Sequence, residues 1–170
     1  MEIDVRASHT GIADTYRYQI AVRKGDGKTA VYHLDFKKIG QSMHHWFAPV
    51  YVETALLNNA FSPEFYDVKA LSDANRHRRS AFDTYTAMHY TLLQRERLFV
   101  AGIGETLLKF AYQYHARIIF SAPLRPALAK IYDFLLKKYA HTGHYLYKVE
   151  FVKDGLYVIE IPRSPHHLPY

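Results

Sequence analysis

From Thr15 the chain alternates: Tyr16, Tyr18, Ile20 and Val22 fall on one side, and Arg17, Gln19 and Arg23 on the other, the period of a half-buried strand. KGDGK at 24–28 concentrates turn formers. Beyond it Ala30, Tyr32, Leu34 and Phe36 alternate with His33 and Asp35, so the run from Tyr16 to Phe36 predicts a β-hairpin. Residues 1–14 show no sustained period and are expected to fray. Residues 37–47 read as loop, including the aromatic-basic run MHHWF. APVYVETALL at 48–57 admits a third strand, or a helix from Glu53 to Leu57. Ser62 and Pro63 predict the cap and first turn of a helix through EFYDVKAL. A second helix is predicted over 75–97, with Phe82, Tyr85, Met88, His89 and Leu92 in one stripe.

Leu98–Ala101 fits either a strand end or more helix, and Glu105 to Tyr114 predicts a helix with Leu107, Leu108, Ala111 and Tyr112 inward. RIIFS at 117–121 reads as a buried strand. Pro126 suits the first turn of a helix to Tyr139, with Leu128, Ile131, Leu135 and Leu136 on one face. Gly143 is expected as its left-handed cap. Tyr145, Tyr147, Val149 and Phe151 then alternate, Asp154-Gly155 makes a turn, and Leu156 to Ile161 returns. Residues 162–170, rich in proline, are expected to be an extended, mobile tail. This order predicts an α/β chain of the layered α+β kind: a mixed, largely antiparallel sheet with helices packed on it.

A length of 170 residues with 49% hydrophobic and 22% charged content fits one domain spanning 1–170. Fifteen tyrosines suit half-buried sheets and shallow grooves, because the ring buries while the hydroxyl stays bonded or wet. The formal net charge of +6 favours anionic partners: a phosphate-rich cofactor such as CoA, nucleic acid, or an acidic protein. The absence of cysteine excludes disulfides and thiolate metal sites. Eleven histidines are present, but none stands with a carboxylate at the helical spacing of a metalloprotease motif, so no metal is expected. MEIDVRASHT lacks the basic flank and apolar core of a signal peptide, and no apolar run reaches the length of a membrane span. A cytoplasmic protein without a membrane role is expected. Edge strands of the two hairpins give a route to a homodimer.

Two glycines one residue apart, Gly102 and Gly104, precede the helix from Glu105. Such a pair either frees backbone N–H groups for a phosphate or allows close packing. The succession AGIGETLLKFA, RIIFSAP, RPALAKIYDFLLKKY and HYLYKVEFVKDGLYVIEI resembles the C-terminal half of the Gcn5-related N-acetyltransferase fold, over about a third of the chain. The resemblance implies that Ala101, Gly102, Ile103, Gly104 and Glu105 face the pyrophosphate of acetyl-CoA or another acyl-CoA. It also implies that Tyr132 reprotonates the departing thiolate, and that the protein is an N-acyltransferase. Position 99 is Phe where the family has Arg or Gln, and position 125 is Arg where it often has Asn.

Glu53 is a candidate general base, with Tyr51, Val52 and Leu56 to desolvate it; its other reading is a solvent-facing strand carboxylate. Arg76, His77, Arg78 and Arg79, with Arg95, Arg97 and Lys109, form a candidate surface for nucleic acid or an acidic partner. Four basic groups at a predicted helix start oppose its dipole, which favours a partner over helix stability. The second functional reading is therefore a non-catalytic adaptor with the same fold, acting through this basic and aromatic surface.

Overall fold

The computed structural model of the protein describes residues 1–52, 54–77, 88–123 and 126–163, with side chains for all of these except 73–77. Among the described residues seven strands form one mixed sheet in the order β1-β2-β3-β4-β5-β7-β6. The strands are β1 (Glu2–Ser8), β2 (Thr15–Arg23), β3 (Thr29–Lys38), β4 (Ala60–Asp67), β5 (Ile118–Ser121), β6 (Leu146–Tyr147) and β7 (Tyr157–Glu160). The helices are α1 (Val68–His77), α2 (Leu92–Arg97), α3 (Glu105–Gln113) and α4 (Pro126–Tyr139). The expected layered α/β class, with a largely antiparallel sheet, is what the chain adopts. It divides into two compact units. One comprises Met1–Lys37 and Pro63–Lys109; the other comprises Lys38–Ser62 and the chain from Phe110 onward.

The first unit is built on the hairpin. Its register pairs Tyr16 with Phe36, Tyr18 with Leu34, Ile20 with Tyr32 and Val22 with Ala30, as the turn at 24–28 dictates. Tyr18, Ile20, Val22, Tyr32, Leu34 and Phe36 are buried on the shared face. The N-terminal residues do not fray. β1 pairs antiparallel with β2, from Glu2 opposite Arg23 to Ser8 opposite Arg17. Ile3, Val5 and Ala7 alternate with Glu2, Asp4, Arg6 and Ser8, a short strand period that the expectation of a frayed terminus passed over.

AFSPEFYD forms β4, where a helix start was expected. The true cap is Asp67, whose carboxylate accepts from the N–H groups of Lys69 and Ala70 at 2.7 and 3.1 Å, so α1 begins at Val68. The single helix expected over 75–97 is also corrected. His89 lies in the left-handed region at φ 47°, and α2 starts afresh at Thr91. There the hydroxyl accepts from the Gln94 N–H while the Gln94 side chain accepts from the Thr91 N–H, a capping box written in the sequence as T-x-x-Q.

The second unit holds β5, β6 and β7, together with the start of β4. β4 and β5 run parallel through Ala60↔Ile118 and Phe61↔Ile119, and the β5/β7 and β6/β7 ladders are antiparallel. On one face Phe47, Tyr51, Leu57, Phe120, Phe151 and Val158 form the core. Residues 48–52 and 54–57 are turn and 3₁₀ structure, not a strand; Val50, Tyr51, Leu56 and Leu57 plug the core without joining the ladder. On the other face Phe110 of α3 meets Phe61 edge-on and Tyr132 of α4 meets Tyr157.

α4 begins at Pro126 as expected, but of its predicted apolar face only Leu135 is buried and Ile131 is exposed. Gly143 is not the left-handed residue; His144 is, at φ 52°. A Cβ on Gly143 would come within 2.5 Å of the Tyr145 ring and 3.0 Å of the Tyr139 carbonyl, so contact, not φ, demands the glycine. The closing hairpin forms with β6 cut to two residues, and Val149–Asp154 winds into a 3₁₀ helix ended by Gly155 at φ 73°.

Candidate functional site

The glycine pair lies inside a helix, not at its beginning. α2, a π-helical segment Leu98–Gly104 and α3 follow one another with right-handed helical backbone at both junctions. This settles the strand-or-helix ambiguity at 98–101 and corrects the expected turn. The N–H of Glu105 donates to the Val100 carbonyl, the i to i−5 bond of this geometry. Residues 101–105 thus lie where amides are spent on the helix itself, and Glu105 is not in a first turn.

Gly102 is buried against the first unit's sheet. A Cβ there would stand 3.0 Å from Leu98, 3.4 Å from Ile20 and 3.8 Å from Ile3. Its carbonyl accepts from the Thr106 hydroxyl. At Gly104 a Cβ would approach the Phe99 carbonyl to 3.2 Å. Gly102 therefore serves packing of the helix on the strands, while Gly104 lies close against the helix's own backbone. The residues present do not fit an acyl-CoA pyrophosphate: the donors are engaged, Ile3, Ile20 and Leu98 crowd Gly102, and Glu105 carries like charge.

The other expected residues are dispersed. Tyr132 is half-buried, its ring perpendicular to Tyr157 at 6.2 Å between centroids, and burial pushes its phenol up. Glu53 lies outside the described residues. Of its expected desolvating neighbours, Val52 is 89% exposed, and Tyr51 turns inward to donate to Glu160 at 2.8 Å. Arg78 and Arg79 also lie outside the described residues. Arg76 and His77 lie within α1, nine and ten residues past its cap at Asp67 and not at a helix start. Basic residues placed there do not oppose the positive end of the helix dipole, as residues at a helix start would.

Arg95 and Arg97 are exposed on α2. Directly before them Leu92 and Leu93 are 81% and 79% exposed, although Leu92 was expected in a buried stripe. Thr91 fixes this turn through its capping box, and the helix behind it is anchored on β1 and β2 by Gly102. Two leucines and two arginines are thereby carried on the six residues of α2. Lys109 is exposed farther along, on α3.

One polar cluster was not singled out from the sequence. On the outer face of the hairpin Arg17 donates to both Asp35 oxygens at 2.7 Å and to the Tyr66 hydroxyl at 2.8 Å, while Tyr66 donates to Asp35 at 3.1 Å. His33 packs edge-on against Tyr66. Burial, then the Asp35 charge, push the Tyr66 phenol up. Arg17, Asp35 and Tyr66 bond one another, which marks the cluster as structural cement.

Among the described residues no three His, Asp or Glu side chains are placed to hold a metal ion, and no helix is long and apolar enough to cross a membrane. No protein family model matches the chain, and neither a curated protein nor a solved structure matches it.

Proposed function

We propose that this protein is a non-catalytic recognition module that binds an acidic, amphipathic protein segment through Leu92, Leu93, Arg95 and Arg97. The observation that carries this reading is the exposure of two adjacent leucines at about four-fifths each, on a capped turn beside two exposed arginines. Large apolar side chains held in water beside guanidinium groups are the composition of a binding patch. A net charge of +6 attracts acidic partners over distance. Leucine offers nucleic acid no stacking surface, which favours a protein segment over RNA or DNA. Acyl transfer draws no support from residues 101–105, whose backbone is engaged in the helix.

Two measurements test this. Millimolar acetyl-CoA is expected to leave the melting temperature unchanged; an upward shift would restore the acyltransferase reading. A fluorescent amphipathic peptide, leucines on one face and glutamates on the other, is expected to bind the native chain. Binding should be lost on Leu92→Ser/Leu93→Ser and on Arg95→Glu/Arg97→Glu. Retention of that peptide by both variants sinks the proposal, and tRNA binding that depends on the arginines alone would replace it with nucleic-acid recognition.

A further inference from the structure

We infer that β1 is a self-association edge, pairing antiparallel with β1 of a second copy of this chain about a two-fold axis through Val5. β1 is an end strand of the sheet: its ladder is with β2, and no further described strand lies beyond it. Seven residues of backbone donors and acceptors therefore alternate between β2 and an open edge. The edge carries no proline or lysine, and the glycine at 11 lies past its end.

The side chains select the partner and the register. In a two-fold antiparallel pair, opposed residues share a face, so the register moves in steps of two. One choice sets Asp4 against its own copy, and another sets Arg6 against its own copy. Both place like charges opposite, which is unfavourable. The choice between them puts Val5 opposite Val5, Asp4 opposite Arg6 twice, Ile3 opposite Ala7 and Glu2 opposite Ser8, and it uses the whole strand. Asp4 and Arg6 are already 2.8 Å apart along β1, with side chains 57% and 78% exposed. Pairing would close them into an alternating ring of four charges. On the opposite face, half-buried Ile3 and Val5 and exposed Ala7 would continue the apolar surface made by Tyr18, Ile20 and Val22. Charge complementarity of the strand with itself thus argues for a second copy in preference to an unrelated strand.

The test uses the full chain and charge swaps at exposed positions. Light scattering at high micromolar concentration should give twice the 19.8 kDa chain mass. Asp4→Arg and Arg6→Asp should each give monomers with native circular dichroism, because each makes both opposed pairs alike in sign. Mixing the two variants in equal amounts should restore the dimer, since each then meets its complement, and the double swap should dimerise by itself. A native chain that stays monomeric, single variants that stay dimeric, or a mixture that stays monomeric would each overturn the inference. The readout is mass, so it is independent of peptide binding at Leu92–Arg97.

Discussion

At the scale of single residues, Asp35 is a buried carboxylate held by two neighbours. It accepts from Arg17 and Tyr66 together. Asp35→Ala should cost about 3 kcal/mol by urea denaturation, because it strands a half-buried guanidinium. The paired change Arg17→Met/Asp35→Leu should recover most of that loss, since it removes both charges. Beside them, burial first and the Arg17 charge second hold the His33 imidazole below its ordinary 6.5. The unfolded chain therefore takes up the proton first as pH falls. Stability is expected to be full above 6.5, to decline below it until the folded value is reached, and then to level off. Melting temperatures of the native chain and His33→Gln across pH 5 to 8 check this, with the substituted chain losing that slope. The Arg17–Asp35 pairing was legible in the sequence, because the turn at 24–28 fixes which residues oppose. Tyr66 was not, because it needed EFYD to be a strand.

Among the elements, the helix from Leu92 to Gln113 decides most about the candidate site. Thr91→Ala removes its cap and should lower stability by about 1 kcal/mol in chemical denaturation. Gly102→Val should cost about 2 kcal/mol or more, because Leu98, Ile20 and Ile3 already occupy the space a side chain needs. A Gly102→Val chain of native stability would show that the helix does not sit on the sheet as described. LFVAGIG carries no polar beat by which its period could be read. The same apolar run suits a strand, a loop or a helix until Ile3 and Ile20 supply a surface. The box at Thr91 was legible, and the long stripe drawn through it to Leu92 was a period read past its own stop signal.

Over the whole molecule, a positive chain with an apolar-basic patch should show a divided response to salt. Binding of the leucine-glutamate peptide should weaken several-fold from low to high ionic strength as screening removes the arginine contribution. A residual affinity should persist, carried by Leu92 and Leu93. Fluorescence anisotropy across a salt series checks this: affinity independent of salt would exclude the arginines, and affinity abolished by salt would exclude the leucines.

The alternating runs at 15–36, the buried RIIFS, the proline at the head of α4 and the closing return strand were determined by sequence alone, because a two- or four-residue period needs no partner to be seen. The edge strand β1, the strand β4, the inward plug of Phe47, Tyr51 and Leu57 and the engaged glycines were decided by tertiary structure. β1 carries its alternation of Ile3, Val5 and a small Ala7 on seven residues and needs β2 beside it to be fixed as a strand, and the others have too few apolar beats, or too many, to choose a conformation before the surface they bury against is in place.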